Sequence, residues 1–164
     1  MKKQATRSAQ WPMVAEFIFN FSDWVVDSAD GLKKTLGSTV VNSADPAETG
    51  LTGAAAATVI FDAIKMPRGA VICGGEMIVE SAYVGPTAAT LKAGIAGNDA
   101  ALLAATDVKT AARTALLLTS PLLCNSGGDV RITLAYTVAN ATAGKVRVRV
   151  FYTIDDKADA VSPN

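Results

Sequence analysis

The sequence predicts an all-β fold, a jelly-roll-like antiparallel β-sandwich with an extended N-terminal arm. Three observations carry that prediction. Apolar residues recur with a period of two in several separate stretches, turn signals punctuate those stretches at fairly regular spacing, and no long amphipathic helix pattern occurs. Eight or nine short strands in such an order describe a sandwich or a jelly roll. The 164 residues, half of them hydrophobic, suffice for one domain with a real core. The expected boundaries are an arm over residues 1–13, a sandwich over 14–155 and a polar C-terminal tail over 156–164.

Residues 1–13 show no periodicity and carry Lys2, Lys3 and Arg7. From Val14 onward, Phe17, Phe19 and Phe21 alternate with Glu16, Ile18 and Asn20, the mark of a strand with one buried face. Trp24-Val25-Val26 extends that strand or begins the next. Asp30-Gly31 is a turn signal, and Leu36 to Val41 is a short, weaker strand candidate. Asn42, Ser43, Asp45-Pro46, Gly50 and Gly53 make residues 42–54 a loop. Ala54 to Ala57 favours helix, whereas Thr58-Val59-Ile60-Phe61 favours strand. A strand from Ala57 to Lys65 is expected, with a helix as the alternative. Pro67-Arg68-Gly69 closes it.

Ala70 to Tyr83 reads as one long strand, with Val71, Cys73, Gly75, Met77 and Val79 on one face against Glu76, Ile78 and Glu80. Gly74-Gly75 in its middle predicts a bulge or the close approach of another backbone. Thr87 to Ile95 alternates as a strand, and Gly97-Asn98-Asp99 turns the chain. Ala104 to Ala112 is read as one helical turn with Thr106 or Asp107 as its N-cap. Arg113 to Thr119 is a further strand candidate, and Ser126-Gly127-Gly128-Asp129 is a hairpin signal. The clearest alternation comes last. Val130, Ile132, Leu134 and Tyr136 form one buried row, and Val146, Val148, Val150, Tyr152 and Ile154 form another. The intervening loop, Ala139 to Gly144, predicts that these two strands pair with each other. Asp155 to Asn164 is polar.

Composition narrows the function. Only 18% of residues are charged, below the roughly 25% of an average globular chain, which suggests that part of the surface is covered by something else. Lys+Arg and Asp+Glu both number 15, so the basic excess of a nucleic-acid binder is missing. The most apolar run, Ala54 to Phe61, falls far short of the roughly 20 residues that span a bilayer. Met1-Lys2-Lys3 is followed by no apolar segment of the kind a signal peptide needs. The chain is therefore expected to be made and used in soluble form, with neither nucleic acid nor membrane as partner. Its cysteines, Cys73 and Cys124, lie in or beside apolar runs and are expected to be buried free thiols.

Catalytic constellations are hard to build from these residues. There is no histidine, which removes Ser-His-Asp triads, Cys-His dyads and histidine-ligated metal together. The glycine pairs fit no phosphate-binding loop. Glu76 and Glu80 share a strand face but stand four residues apart, about 13 Å, outside the separations that glycosidase carboxylates use. Asp155, Asp156 and Asp159 lack the glycine turn and closing glutamate of a calcium loop. No catalytic residue, cofactor or metal is expected, and the protein is read as a non-enzyme. Two features remain for partner binding. Lys145, Arg147 and Arg149 form a row, with Arg131 expected on the neighbouring strand, and serve either as a solvated sheet face or as a dock for an acidic partner. Trp11 lies outside the core pattern and either anchors an interface or packs back on its own domain; with Arg7 of the arm it is a candidate for partner binding.

The stretch Met66-Pro67-Arg68-Gly69-Ala70-Val71-Ile72-Cys73-Gly74-Gly75-Glu76-Met77-Ile78-Val79-Glu80 resembles a pattern found in capsid decoration, or cement, proteins of tailed bacteriophages. Two further blocks follow in the same order, Leu103 to Leu116 and Gly144 to Tyr152. Together they cover roughly residues 57–154, while the N-terminal third matches less obviously. The blocks are structural, not catalytic. The resemblance implies a jelly-roll-like sandwich that binds the outside of an icosahedral head and staples major capsid protein subunits. It further implies a homodimer or homotrimer located on the virion's capsid surface and assembled in the host cytoplasm. The competing expectation is a phage fibre or receptor-binding β-module that recognises a cell-surface ligand.

Overall fold

Alternation determines which stretches become strands, but pairing partners decide the architecture. A computed structural model describes residues 11–37, 57–117, 122–124, 128–137 and 139–154. These residues form β1 (Met13–Asn20), β2 (Trp24–Val26), β3 (Lys33–Thr35), β4 (Ala57–Lys65), β5 (Ala70–Val84), β6 (Ala88–Ile95), β7 (Asn98–Asp107), β8 (Arg113–Ala115), β9 (Leu122–Cys124), β10 (Asp129–Thr137) and β11 (Ala143–Ile154). Every pairing among them is antiparallel.

The first sheet has the order β1-β11-β5-β8, with β9 also on β5; the second has the order β4-β10-β6-β7; β2 and β3 make a separate ribbon. Because β11 occupies one edge of β5 along its whole length, β8 and β9 lie end to end on the other, opposite Glu76–Ile78 and Ala70–Ile72. With the ribbon set aside and β8 and β9 counted as one interrupted strand, eight strands remain. The first pairs with the last, the second with the seventh, the third with the sixth and the fourth with the fifth. That nested ladder, rolled into two sheets, is a jelly roll, as the sequence predicts.

The core lies between the sheets. Phe19, Met77, Val79, Val146, Val148 and Val150 face it from the first sheet, and Val59, Phe61, Leu91, Leu102, Ile132 and Leu134 from the second; all are buried. Each such side chain contributes about 1.5–3 kcal/mol relative to exposure. Phe17, Phe19 and Phe61 form a triangle of rings with centroids 5.8–6.0 Å apart, which ties β1 to β4 at one side of the sandwich. The other open side of that edge is closed by the β2–β3 ribbon. Ser28 N–H donates to the Ile60 carbonyl at 2.6 Å, and Ile60 N–H reaches Asp27 Oδ1 at 3.3 Å.

Several expectations are corrected. The final two strands do not pair with each other: β10 lies between β4 and β6, and β11 between β1 and β5. The loop between them crosses from sheet to sheet, held by Ala141 N–H on Gly37 and Thr142 N–H on Val84. Residues 126 and 127 of the Ser126–Asp129 hairpin signal lie outside the described residues, and the strands on either side of it, β9 and β10, belong to different sheets. Residues 104–107 continue β7, and no helical turn follows; pairing with β6 and burial of Leu102 and Leu103 outweigh the helix preference of alanine. The weak strand expected from Leu36 is instead β3, which ends at Thr35, with residues 38–41 outside the described residues. The arm's residues 1–10 and the C-terminal tail also lie outside them.

The long strand β5 changes face partway. Its pairing with β11 shifts between Phe151, opposite Gly74, and Tyr152, opposite Ile72, so Cys73 is the extra residue of a bulge. Beyond it Met77 and Val79 point inward as expected, but before it Ala70 and Ile72 do so in place of Val71 and Cys73. Cys73 is exposed, not buried, and its thiol donates to the Phe151 carbonyl at 3.3 Å. The side chain of Cys124 lies outside the described residues.

Candidate functional site

The outward face of the first sheet gathers seven charged side chains into one connected group. In β1 and β11 the inward-facing residues are apolar, so strand geometry sends Glu16 out from β1 and Lys145, Arg147 and Arg149 out from β11. Register then places Glu16 opposite Arg149, and Arg149 opposite Glu76. Arg149 bonds both, through Nε to Glu16 and Nη1 to Glu76 at 3.2 Å. Arg147 gives Nη1 to both oxygens of Glu16 at 3.0 Å and Nε to Glu80. Lys145 meets Glu80 at 2.8 Å, and Arg113 on β8 meets Glu76 at 2.6 Å. Four cations and three carboxylates thus form one chain across four strands, with a single excess positive charge.

The electrostatic consequence is that the carboxylates stay ionised. Hydrogen bonds from Arg149 and then Arg147 hold the pKa of Glu16 below its ordinary value, and those from Lys145 and Arg147 do the same for Glu80. A carboxylate held this way makes a poor general acid. The predicted basic row is therefore outward-facing, as expected, but it is neutralised, and it presents no unbalanced cationic dock. Arg131 is not its neighbour. It belongs to the second sheet and pairs with Asp62 at 2.7 Å.

Trp11 is 87% exposed at the entry to β1, so it does not pack back on its own domain. Arg7 lies outside the described residues. The sequence marks the ribbon's turn at Asp30-Gly31 but gives no sign of the charged pair beneath it. Asp27 is buried at its turn, bonded to Lys34 at 2.6 Å and to the amide of Ala29 at 2.9 Å. Burial disfavours the Lys34 charge, yet bonds to Asp27 and Asp30 outweigh it and raise its pKa. The same ribbon exposes Trp24, Val26 and Leu32, with Lys33 Nζ 5.6 Å from the Trp24 ring centroid. A cleft of about 540 Å³ lies between the ribbon and the sandwich, with Phe17, Val25, Val26, Phe61 and the Asp62–Arg131 pair on its walls. Trp24-Val25-Val26 and the Asp30-Gly31 turn signalled the ribbon, whereas the Asp27–Lys34 pair carried no local signal.

Tyr83 and Tyr136 are buried in the core, and burial pushes both phenols well above their ordinary pKa. They are neutral core groups. Among the described residues, no cluster of three or more His, Cys, Asp or Glu side chains is arranged to hold a metal ion. No helix of the described residues is long and apolar enough to cross a membrane.

The sequence matches no established protein-family profile and no curated protein. Its fold is similar to that of a chain in the capsid asymmetric unit of the cyanophage Pam1, with a TM-score of 0.52 and 18% sequence identity. The match covers 94% of this chain and 94% of that one. At this identity the likeness is one of fold.

Proposed function

We propose that this chain is a virion structural protein that binds the outer surface of an icosahedral phage capsid and staples major capsid protein subunits. The observation that carries the reading is the end-to-end fold likeness to a chain of a phage capsid asymmetric unit, over nearly the whole of both chains. Fold alone does not fix function, but three other observations point the same way. The blocks that resemble decoration proteins fall on β5, β7–β8 and β11, strands that build the jelly roll. The surface is poor in charge, and its main charged face is paired internally down to one net positive charge. Both tryptophans stand at the surface, where large apolar anchors serve binding. The same features support a role without catalysis: the sequence has no histidine, and the carboxylates of the outer face are locked to guanidinium and ammonium groups.

A protein that bridges subunits stabilises the assembled shell by mass action. Capsids stripped of this chain should release DNA at lower temperature than capsids carrying it, and adding purified protein back should restore the difference. Equal survival of bare and decorated particles would remove the stapling role. The second reading, a fibre or receptor-binding module, draws support from exposed Trp11 and Trp24, since aromatic platforms suit glycan recognition. One face of Trp24, however, is taken by Lys33. Location on the head or on the tail separates the two readings.

A further inference from the structure

The free edge of β1 is open over three rungs, and the opening is symmetric. Phe21 N–H donates to the Gly144 carbonyl at 2.9 Å, continuing a β1–β11 ladder that runs from Met13 to Asn20 without a register shift. Bonded pairs alternate along an antiparallel ladder, so the odd-numbered residues of β1 turn their backbone groups to β11 and the even-numbered ones turn theirs outward. At Asn20 the outward groups are already used. Its N–H donates to Asp23 Oδ2 at 2.7 Å, and its carbonyl accepts from Asp23 N–H at 3.1 Å. Pro12 has no N–H to offer. Between these two ends, the outward amides and carbonyls of Val14, Glu16 and Ile18 have no partner among the described residues. The facing edge of β4 is different, because the ribbon caps it at Ile60.

We propose that β1 pairs antiparallel with β1 of a second copy about a two-fold axis through Glu16, joining the two first sheets into one. Glu16 is the middle open rung, so an axis there uses all three rungs of each copy. It sets Val14, 58% exposed, opposite Ile18 of the second copy, 39% exposed, once on each side of the axis; such apolar cross-strand pairs stabilise a sheet. On the other face Ala15 meets Phe17, and Met13 meets Phe19, with no charge among them. The two Glu16 side chains meet at the axis already neutralised, each held by Arg147 and Arg149 of its own copy. Pro12 falls opposite Asn20, so pairing stops at both ends where each strand has nothing left to give. A patch that is its own complement is what a two-fold interface requires, and an apolar open edge is one that proteins otherwise protect.

The inference rests on the strand edge and not on capsid binding, so each can fail alone. Analytical ultracentrifugation of the full chain should give twice the monomer mass of 16.9 kDa. The double variant Val14→Lys/Ile18→Lys sets like charges opposite each other and should weaken dimerisation at least tenfold while leaving the circular dichroism spectrum unchanged. Val14→Lys/Ile18→Glu sets unlike charges opposite each other and should restore the dimer. With Cys73 and Cys124 replaced by alanine, Glu16→Cys should cross-link to itself on mild oxidation, since bonded pairs stand about 5.5 Å apart at Cα. Ile18→Cys should not, because its two copies would stand about 13 Å apart. A wild-type monomer at high micromolar concentration, a dimer indifferent to the lysine pair, or cross-linking through Ile18→Cys in place of Glu16→Cys would overturn the proposal.

Discussion

The backbone carbonyl of Arg149 fills the space in which a Cβ on Gly75 would stand, and the Leu116 side chain crowds the same point. Gly75 has a φ of 156° and lies two residues beyond the Cys73 bulge. The close approach lets β5 resume its ladder with β11 after changing face. It also seats β8, because Leu116 N–H donates to the Gly75 carbonyl at 3.0 Å.

Gly75→Ala should therefore destabilise the protein by about 2 kcal/mol or more. Gly74→Ala should be tolerated, since its Cβ would make only an ordinary contact, 3.5 Å from the Phe151 ring. Urea unfolding of the two variants checks this. Equal losses would mean that the bulge does not depend on the close approach.

Register in β11 gives a second contrast. Val150 is fully buried while Arg149 beside it points outward. Val150→Asp places an unpaired carboxyl in the core and should cost at least about 3 kcal/mol. Arg149→Ala should cost clearly less, because solvent screens exposed ion pairs. Chemical denaturation measures both.

The charge chain predicts an acid dependence. Glu16 and Glu80 have folded-state pKa values below the ordinary 4.5, so the folded protein binds fewer protons there than the unfolded chain does. Their contribution is complete above about pH 4.5 and is lost as the pH falls through the lowered values. Glu16→Gln/Glu80→Gln should flatten the stability profile below pH 4.5 and leave its shape near neutrality alone. Denaturation midpoints of both proteins from pH 7 to pH 3 test it, and parallel profiles would contradict it.

The ribbon supplies a buried charge whose partner can be removed. Lys34→Met leaves Asp27 with only backbone donors among the described residues and should destabilise by about 2 kcal/mol. Asp27→Asn/Lys34→Met should lose less than the single variant, a coupling that a double-mutant cycle measures directly.

Much of this was legible in sequence because a period of two is a local property. Phe17 and Phe19, the row from Val130 to Tyr136 and the valines of β11 all read correctly as strands with a buried face. The bulge also read correctly from Gly74-Gly75, though not its effect, which was to send Cys73 out and Ile72 in. What failed was non-local. Nothing near Arg131 says that its strand joins the opposite sheet, and nothing near Arg147 says that Glu16, 131 residues away, will neutralise it. Ala104 and Ala105 favoured helix on intrinsic preference, and only the partner strand β6 overrules that. The open edge of β1 likewise follows from which neighbour Phe21 bonds.

The central claim is a place on the capsid, and imaging tests it most directly. Cryo-electron microscopy of particles produced with and without this chain should show, only in its presence, jelly-roll-shaped density repeated across the outside of the head and bridging neighbouring major capsid protein subunits. Density confined to the tail, or heads identical in the two preparations, would contradict the account.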